Sequence, residues 1–484
     1  MQHNLKLPFL YLLIFLLTAC GGEQWEKKRT SNSANSAMDS AKLAQIDQYV
    51  QAQMRRQSIP GLSLAVNLDG KSVLQKAYGT RDVGTKALVT PHTIFQIGSV
   101  TKQFTAASIM LLVQDGRLNL DQSIKIFFPE LPTEWAGITV RHLLQHTAGL
   151  YRGEEHLEVF DAEKNYSANE LVLAISKIPL RAAPGVSFEY SNIGYMVLGA
   201  LIEKLSGKPY FVFLRERIFT PLKMDSAAAI LSSSANADIA TGYTMNEGSL
   251  IPIDYSPTLR FWLSLISGTG GLQMSAPDLA KWDLALNSEQ ILSKASLTQM
   301  WTPAKLQDGS SVPYGFAWLL GEINNQAFVS HNGSIFGFTS HFERHAAQRL
   351  SVIVLVNGEV QSLDKLTAKI AAIIDPSLDW VPANDSNTQR GVLVRQLMDE
   401  LVLGKLLVDH RFTAEMQAIL DQETVSTFNE RFKTFGKVER FFYVKQTKIG
   451  EMDLAIYLAE SAFDRVMLVA QVDANGKISF LGIN

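Results

Sequence analysis

Apolar and polar positions from about Ala41 to Arg56 follow a helical period that stops before Ile59-Pro60-Gly61. The stretch that follows, GLSLAVNLDGKSVLQKAYG, carries two β-rich runs joined at Asp69-Gly70, which predicts a hairpin. Between Thr90 and Leu286 the pattern is mostly helical, with polar loops around 152–168 and 232–258. Strand signals return at Ala327 to Ser330, Phe338 to Phe342 and Leu350 to Val356, the last being the apolar run LSVIVLV expected of a buried strand. A helical run from Leu366 to Ile374 closes the segment. One sheet is thus assembled from both ends of a domain, with a helical region inserted between them.

Composition shifts at DPSLDWVPANDSNTQ, residues 375–389, and a domain boundary is placed near Trp380. Beyond it, two amphipathic helical stretches (390–403 and 413–433) precede strand-like runs in VERFFYVKQTK, MDLAIYLAE, RVMLVAQVD and KISFLGI. Helices followed by an antiparallel sheet make an α+β accessory domain over 385–484 that resembles the cystatin-like or NTF2-like small domains. The whole chain is read as α+β, an α/β sandwich with the accessory domain appended.

The first residues carry a different pattern. Lys6 precedes an apolar stretch from Leu7 to Ala19, shorter than the roughly 20 residues of a membrane-spanning helix, so residues 1–19 read as a signal peptide. The chain's only cysteine, Cys20, ends Leu17-Thr18-Ala19-Cys20, which resembles the lipobox of bacterial lipoproteins. That resemblance implies lipidation of Cys20. Gly21 in the next position implies sorting to the outer membrane, facing the periplasm. Residues 20–40, polar and rich in Ser, Asn, Gly and Ala, read as a flexible tether, and 41–378 as the main domain.

Composition narrows the rest. At 484 residues and 46% hydrophobic, the chain has globular composition with ample core. Forty-four basic against forty-seven acidic side chains give a formal charge of −3, without the basic excess that nucleic-acid binding demands. One cysteine allows neither an internal disulfide nor a thiolate metal site.

Candidate chemistry starts in FQIGSVTKQFTAA, where Ser99 precedes Lys102 by three residues at the start of an apolar helix. Residues i and i+3 share a helix face, so the amine can reach the hydroxyl. Ser362 and Lys365 repeat this spacing, so spacing alone does not single out Ser99. A second group is Tyr190-Ser191-Asn192, on a loop beside a helix start, and a third is His331-Asn332-Gly333-Ser334, on a late strand whose glycine permits close backbone approach. In that order, Ser-x-x-Lys, Tyr-x-Asn and a basic residue-x-Gly resemble the serine β-lactamase and penicillin-binding protein superfamily. The tyrosine version is similar to class C β-lactamases, D-alanyl-D-alanine peptidases, D-aminopeptidases and family VIII esterases. IPGLSLAV, TVRHLLQHTAGL (139–150) and GGLQMSAPDLAKW (270–282) resemble the same group.

The resemblance implies a β-lactamase/transpeptidase-like antiparallel sheet flanked by helices, with Ser99 as acylated nucleophile and Lys102 and Tyr190 sharing its activation. Asn192 would contact the substrate, with His331, Asn332 and Gly333 along the binding edge. The N–H groups of Ser99 and Ser334 would form the oxyanion hole. No metal or cofactor is required. The expected activity is hydrolysis of a small-molecule or peptide ester or amide by a lipid-anchored enzyme, with a D-alanyl-D-alanine carboxypeptidase or class C-like β-lactamase as the alternative. A non-catalytic lipoprotein that binds cell-wall ligands is the reading from another class. His331 departs from the lysine that β-lactamases carry there: as a partly charged imidazole near neutral pH it is expected to anchor carboxylates weakly, which argues against strong β-lactamase activity.

Overall fold

The computed structural model describes residues 38–483, apart from 233–237, 361–362, 450–451 and 463. The stretch read from sequence as a signal peptide, Cys20, most of the expected tether and Ser362 lie outside the described residues. The chain divides into two compact units, one spanning 57–374 and the other made of 40–56 with 375–483.

The larger unit is built on a seven-stranded antiparallel sheet. Its strands are β1 (Gly61–Leu68), β2 (Lys71–Asp82), β3 (Ala87–Leu88), β4 (Leu319–Ile323), β5 (Gln326–Ile335), β6 (Phe338–His345) and β7 (Leu350–Val356). They lie in the order β4-β5-β6-β7-β1-β2-β3. β1 and β7, both buried along their whole length, pair in the middle, with Ala65 opposite Ile353. Apolar runs on both strands suit a centre covered on both faces. The β1–β2 hairpin turns on Asp69 (φ 51°) and Gly70 (φ 79°), the two left-handed residues that a tight hairpin needs.

The helical insertion supplies α1 (Thr101–Gln114) and α2 (Asn192–Ser206), and α3 (Leu363–Ile374) follows the sheet. α1 is buried on every side from Thr101 to Leu112, so it is an internal helix rather than an amphipathic one. Two features of the insertion depart from the sequence reading: a hairpin (Tyr243–Asn246 with Ser249–Pro252) stands inside the expected 232–258 loop, and a three-stranded sheet joins Phe95–Gln96, Leu272–Met274 and Ala228–Ala229.

In the smaller unit, helices Thr388–Val402, Ala414–Ile419 and Gln422–Phe432 pack on a four-stranded antiparallel meander over 440–483. The expected 413–433 helix is broken at Leu420-Asp421, where the Asp421 side chain caps the next helix through Thr424 N–H. The helix Ser40–Arg56, assigned from sequence to the main domain, makes contacts here: Arg56 donates to Thr434 Oγ1, pairs with Asp464 and lies 5.9 Å from the Phe435 ring centre. An amphipathic period shows that a helix has a buried face without showing which core buries it.

Candidate functional site

Ser99 lies in a 3-10 turn, Gly98–Val100, that leads directly into α1. The turn is closed by Val100 N–H donating to the Ile97 carbonyl at 3.2 Å and by Thr101 N–H donating to the Gly98 carbonyl. Lys102, one turn further, is fully buried. Its Nζ lies 3.0 Å from Ser99 Oγ, 2.9 Å from Asn192 Oδ1 and 2.8 Å from the Thr269 carbonyl. Two of these partners can only accept, whereas a serine hydroxyl can accept or donate. A neutral amine would therefore satisfy Asn192 and Thr269 with its two hydrogens and keep its lone pair for the Ser99 proton. An ammonium would use its third hydrogen on the same oxygen. Both protonation states fit without movement of a heavy atom.

Asn192 opens α2, whose N-cap Ser191 accepts from Gly194 N–H. The lysine and the Thr269 hydroxyl, 3.0 Å from Asn192 Oδ1, fix the orientation of its amide. Thr269 was not legible as a site residue, since its main contribution is a backbone carbonyl.

Tyr190 is half-buried, with Lys102 Nζ 5.0 Å from its ring centre. His146 grips the chain around it. Its carbonyl accepts from Glu189 N–H (2.8 Å), its Nδ1 accepts from Ser191 N–H (3.0 Å), and its ring lies 4.3 Å from the Tyr190 ring. His146 stands in the left-handed region at φ 57°, a strained position for a histidine.

Because Nδ1 of His146 is an acceptor, its proton sits on Nε2, which points at Tyr314 Oη 3.2 Å away. Tyr314 Oη in turn lies 3.0 Å from His331 Nε2, and His331 Nδ1 donates to the Asn332 carbonyl at 2.6 Å. The directions agree along the whole chain: Ser191 N–H, His146, Tyr314, His331, Asn332. Both imidazoles are neutral in this arrangement. Burial, reinforced by the charge of Lys102, holds His146 well below the usual histidine range and lowers His331 to about 3. Burial also pushes the Tyr314 hydroxyl well above the usual phenol range.

This overturns the expectation for His331. It is buried, its two nitrogens are engaged with Tyr314 and Asn332, and it carries no partial charge near neutral pH. Its ring still packs 6.2 Å from that of Tyr190. Asn332, the next residue along β5, is exposed.

Gly333 and Ser334 reach the nucleophile through backbone. A Cβ on Gly333 would lie 2.1 Å from the Ile97 carbonyl oxygen, and one on Gly98 (φ 48°) would lie 2.8 Å from Ser334 N. Ser340 on the neighbouring strand donates to the same Ile97 carbonyl at 2.8 Å. Only a pair of glycines lets β5 approach the Ser99 turn this closely. The structure thus gathers Ser99, Lys102, Tyr190, Asn192, Gly333 and Ser334, and adds Thr269, His146 and Tyr314. Of these additions, His146 stood within TVRHLLQHTAGL, while Tyr314 carried no signal.

A family model described as Beta-lactamase matches residues 46–375. Penicillin-binding protein 4* of Bacillus subtilis (strain 168) is 29% identical over 306 residues, 60% of this chain and 66% of that protein. Protein flp of Staphylococcus aureus (strain MW2) is 28% identical over 328 residues, 66% of this chain and 64% of its own. The match spans less than two thirds of the length of these relatives. Among solved structures, D-amino acid amidase from Ochrobactrum anthropi SV3 complexed with D-phenylalanine is similar at TM-score 0.59 and 29% identity, covering 70% of this chain and 98% of that one. The octameric penicillin-binding protein homologue from Pyrococcus abyssi shares the fold at TM-score 0.62 and 23% identity, covering 88% of this chain and 98% of that one.

Proposed function

The chain belongs to the Beta-lactamase family, and from that premise we propose that it is a serine hydrolase working through an acyl-enzyme on a small amide or ester. The observation that carries this reading is Lys102 Nζ at 3.0 Å from Ser99 Oγ, with both of its obligate acceptors already in place. Ser99 Oγ attacks the acyl carbon as its proton passes to Lys102. The N–H groups of Ser99 and Ser334 receive the oxyanion. On collapse the bond to the leaving group breaks, and the leaving group takes the proton from Lys102 by way of Tyr190. Water then enters by the same route, returning its proton through Tyr190 and Lys102 to Ser99 and releasing the acid.

A D-amino-acid amide or a peptide ending in D-amino acids is the substrate class we favour, supported by the similarity to a D-amino acid amidase. A carboxypeptidase on D-alanyl-D-alanine ends is the second reading, supported by the similarity to Penicillin-binding protein 4*. We also propose export and lipid anchoring at Cys20 on the outer membrane, supported by the lipobox-like Leu17-Thr18-Ala19-Cys20 and Gly21. A purely binding role would not require Ser99 and Lys102 at hydrogen-bond distance.

The test is a covalent serine probe followed by mass spectrometry, with a panel of acyl esters, D-amino-acid amides, D-alanyl-D-alanine peptides and a chromogenic cephalosporin. The adduct is expected on Ser99 alone, and Ser99→Ala should lose both label and turnover. An adduct elsewhere, or turnover that survives Ser99→Ala, refutes the mechanism.

A further inference from the structure

The Thr269 carbonyl that receives Lys102 lies on a helix of one turn, Ser267–Gly270. The last carbonyls of a helix have no acceptor role within it, and side chains from elsewhere can take them up. Here α1 takes up two in succession: Gly268 through the Thr105 hydroxyl at 2.6 Å and Thr269 through the Lys102 amine at 2.8 Å. Lys102 and Thr105 stand three residues apart and so share one face of α1. Thr101 accepts from Leu272 N–H at 3.3 Å, which holds the chain just beyond the turn. On its other side the turn meets α2, for a Cβ on Gly268 would lie 2.6 Å from the Tyr195 carbonyl oxygen and 3.0 Å from Gly199 Cα.

Thr105 Oγ1 also lies 2.7 Å from Tyr210 Oη. A threonine hydroxyl has one hydrogen and the Gly268 carbonyl can only accept, so that hydrogen goes to Gly268 and Tyr210 is the donor to Thr105. Burial raises the Tyr210 hydroxyl above the usual phenol range, which keeps its proton in place. The Tyr210 backbone N–H is bound to Glu203 Oε1 on α2 at 2.8 Å. The directions are therefore fixed: Tyr210 donates to Thr105, Thr105 to the Gly268 carbonyl and, one peptide on, Lys102 to the Thr269 carbonyl. Lys102, Thr105 and Tyr210 are all buried, where a lost partner costs most.

We propose that Thr105, held by Tyr210, is a positioning residue for Lys102: by fixing the Gly268 carbonyl it keeps the Thr269 carbonyl on one amine hydrogen and so turns the amine lone pair toward Ser99. The inference rests on the hydrolase reading above, in which that lone pair takes the Ser99 proton.

Three variants of the full chain test this. Thr105→Val keeps the shape and removes the hydroxyl, Thr105→Ser keeps the hydroxyl, and Tyr210→Phe removes the donor behind it. With a D-amino-acid amide as substrate, kcat should fall roughly 10- to 100-fold in Thr105→Val while KM stays within about threefold. Thr105→Ser should recover most of that loss. Tyr210→Phe should show the same signature in smaller measure, and it carries the comparison if Thr105→Val does not fold. The Thr269 carbonyl favours the ammonium that forms as the proton arrives, so its withdrawal should move the acid limb of kcat/KM to lower pH in Thr105→Val and not in Thr105→Ser. Tyr190, Tyr195, His146 and His331 also face Lys102 and are unchanged in all three variants.

A further measurement needs no turnover. Chemical denaturation of Thr105→Val, Lys102→Met and the double variant should show stability losses that do not add, because both residues hold the same turn. Additive losses, a Thr105→Val enzyme with wild-type kcat and acid limb, or equal defects in Thr105→Val and Thr105→Ser each overturn the proposal. A wild type that neither labels at Ser99 nor turns over any substrate, with stability losses that still do not add, would instead sink the hydrolase reading and leave the coupling of Thr105 to Lys102 standing.

Discussion

His146 holds the backbone on both sides of Tyr190, taking the N–H of Glu189 on its carbonyl and that of Ser191 on its ring nitrogen. The phenol therefore owes its place to a residue that itself sits in a strained conformation. Replacing His146 with alanine should lower kcat by roughly 10²-fold, the scale set by displacing a reacting group by about 1 Å. His146→Asn, whose amide oxygen can still accept, should recover part of it. Steady-state kinetics of the two variants, with circular dichroism to establish folding, checks this.

Tyr314→Phe removes the hydroxyl between His146 Nε2 and His331 Nε2 and leaves two buried ring nitrogens without that partner. A stability loss of about 1–3 kcal/mol is expected, with kcat reduced more than KM because the change acts through Tyr190. Chemical denaturation and a kinetic comparison with wild type measure both. Unchanged stability would show that the chain through Tyr314 contributes nothing.

The two neutral histidines also predict how stability depends on pH. His331 has its folded value lowered to about 3 against an unfolded value near 6.5, so below pH 6.5 the unfolded chain binds protons that the folded chain refuses. Stability is fully present above about 6.5 and falls by a few kcal/mol as pH drops toward 3, with His146 adding to the slope in the same direction. Melting temperature followed through this range should decline, and more shallowly in His331→Gln. The ratio of acid to amide substrates should show no step at 6.5 arising from His331.

Gly333→Ala would force a methyl group to within 2.1 Å of the Ile97 carbonyl and so push β5 away from the Ser99 turn. If Ser334 N–H forms the oxyanion hole, kcat should fall by roughly 10²-fold or more while the rest of the sheet persists. Gly98→Ala should behave similarly, and probe labelling of Ser99 should slow in both. A rate within about threefold of wild type in a folded Gly333→Ala protein would remove β5 from the mechanism.

Truncation after residue 374 should leave ester hydrolysis within about tenfold of wild type, since every group of the site lies in 57–374 and domains usually fold as units. The helix Ser40–Arg56 would then lose Thr434, Phe435 and Asp464 as partners of Arg56. Limited proteolysis should cut within 40–56 in the truncated protein and spare it in the full chain.

The site was legible in the sequence wherever a side chain carries the chemistry in a short motif. Ser99 and Lys102, whose spacing recurs at Ser362 and Lys365, stand out once Tyr190-x-Asn192 and His331-x-Gly333 follow them in order. The sheet was legible because β1 and β7 are buried on both faces and are mostly apolar, with a single serine in β7. What was hidden depends on distance along the chain. Thr269 acts through a carbonyl that any residue would carry. Tyr314 and His146 meet only after folding, and the burial that keeps His331 neutral could not be read from a histidine in a motif. The helix Ser40–Arg56 likewise finds partners far along the chain, Thr434, Phe435 and Asp464, which no local pattern announces.

The contact between Gly98 and Ser334 also bears on the order of events during folding. The Ser99 turn enters early in the chain, whereas β5 enters after the whole helical insertion, and pairings of such separation form slowly because a long loop must close first. A chain still emerging from a ribosome would have Ser99 in its turn and Lys102 at the start of α1 with no strand against the turn. Hydrolytic competence should therefore switch on late and all at once, when β5 docks, rather than grow as the chain lengthens.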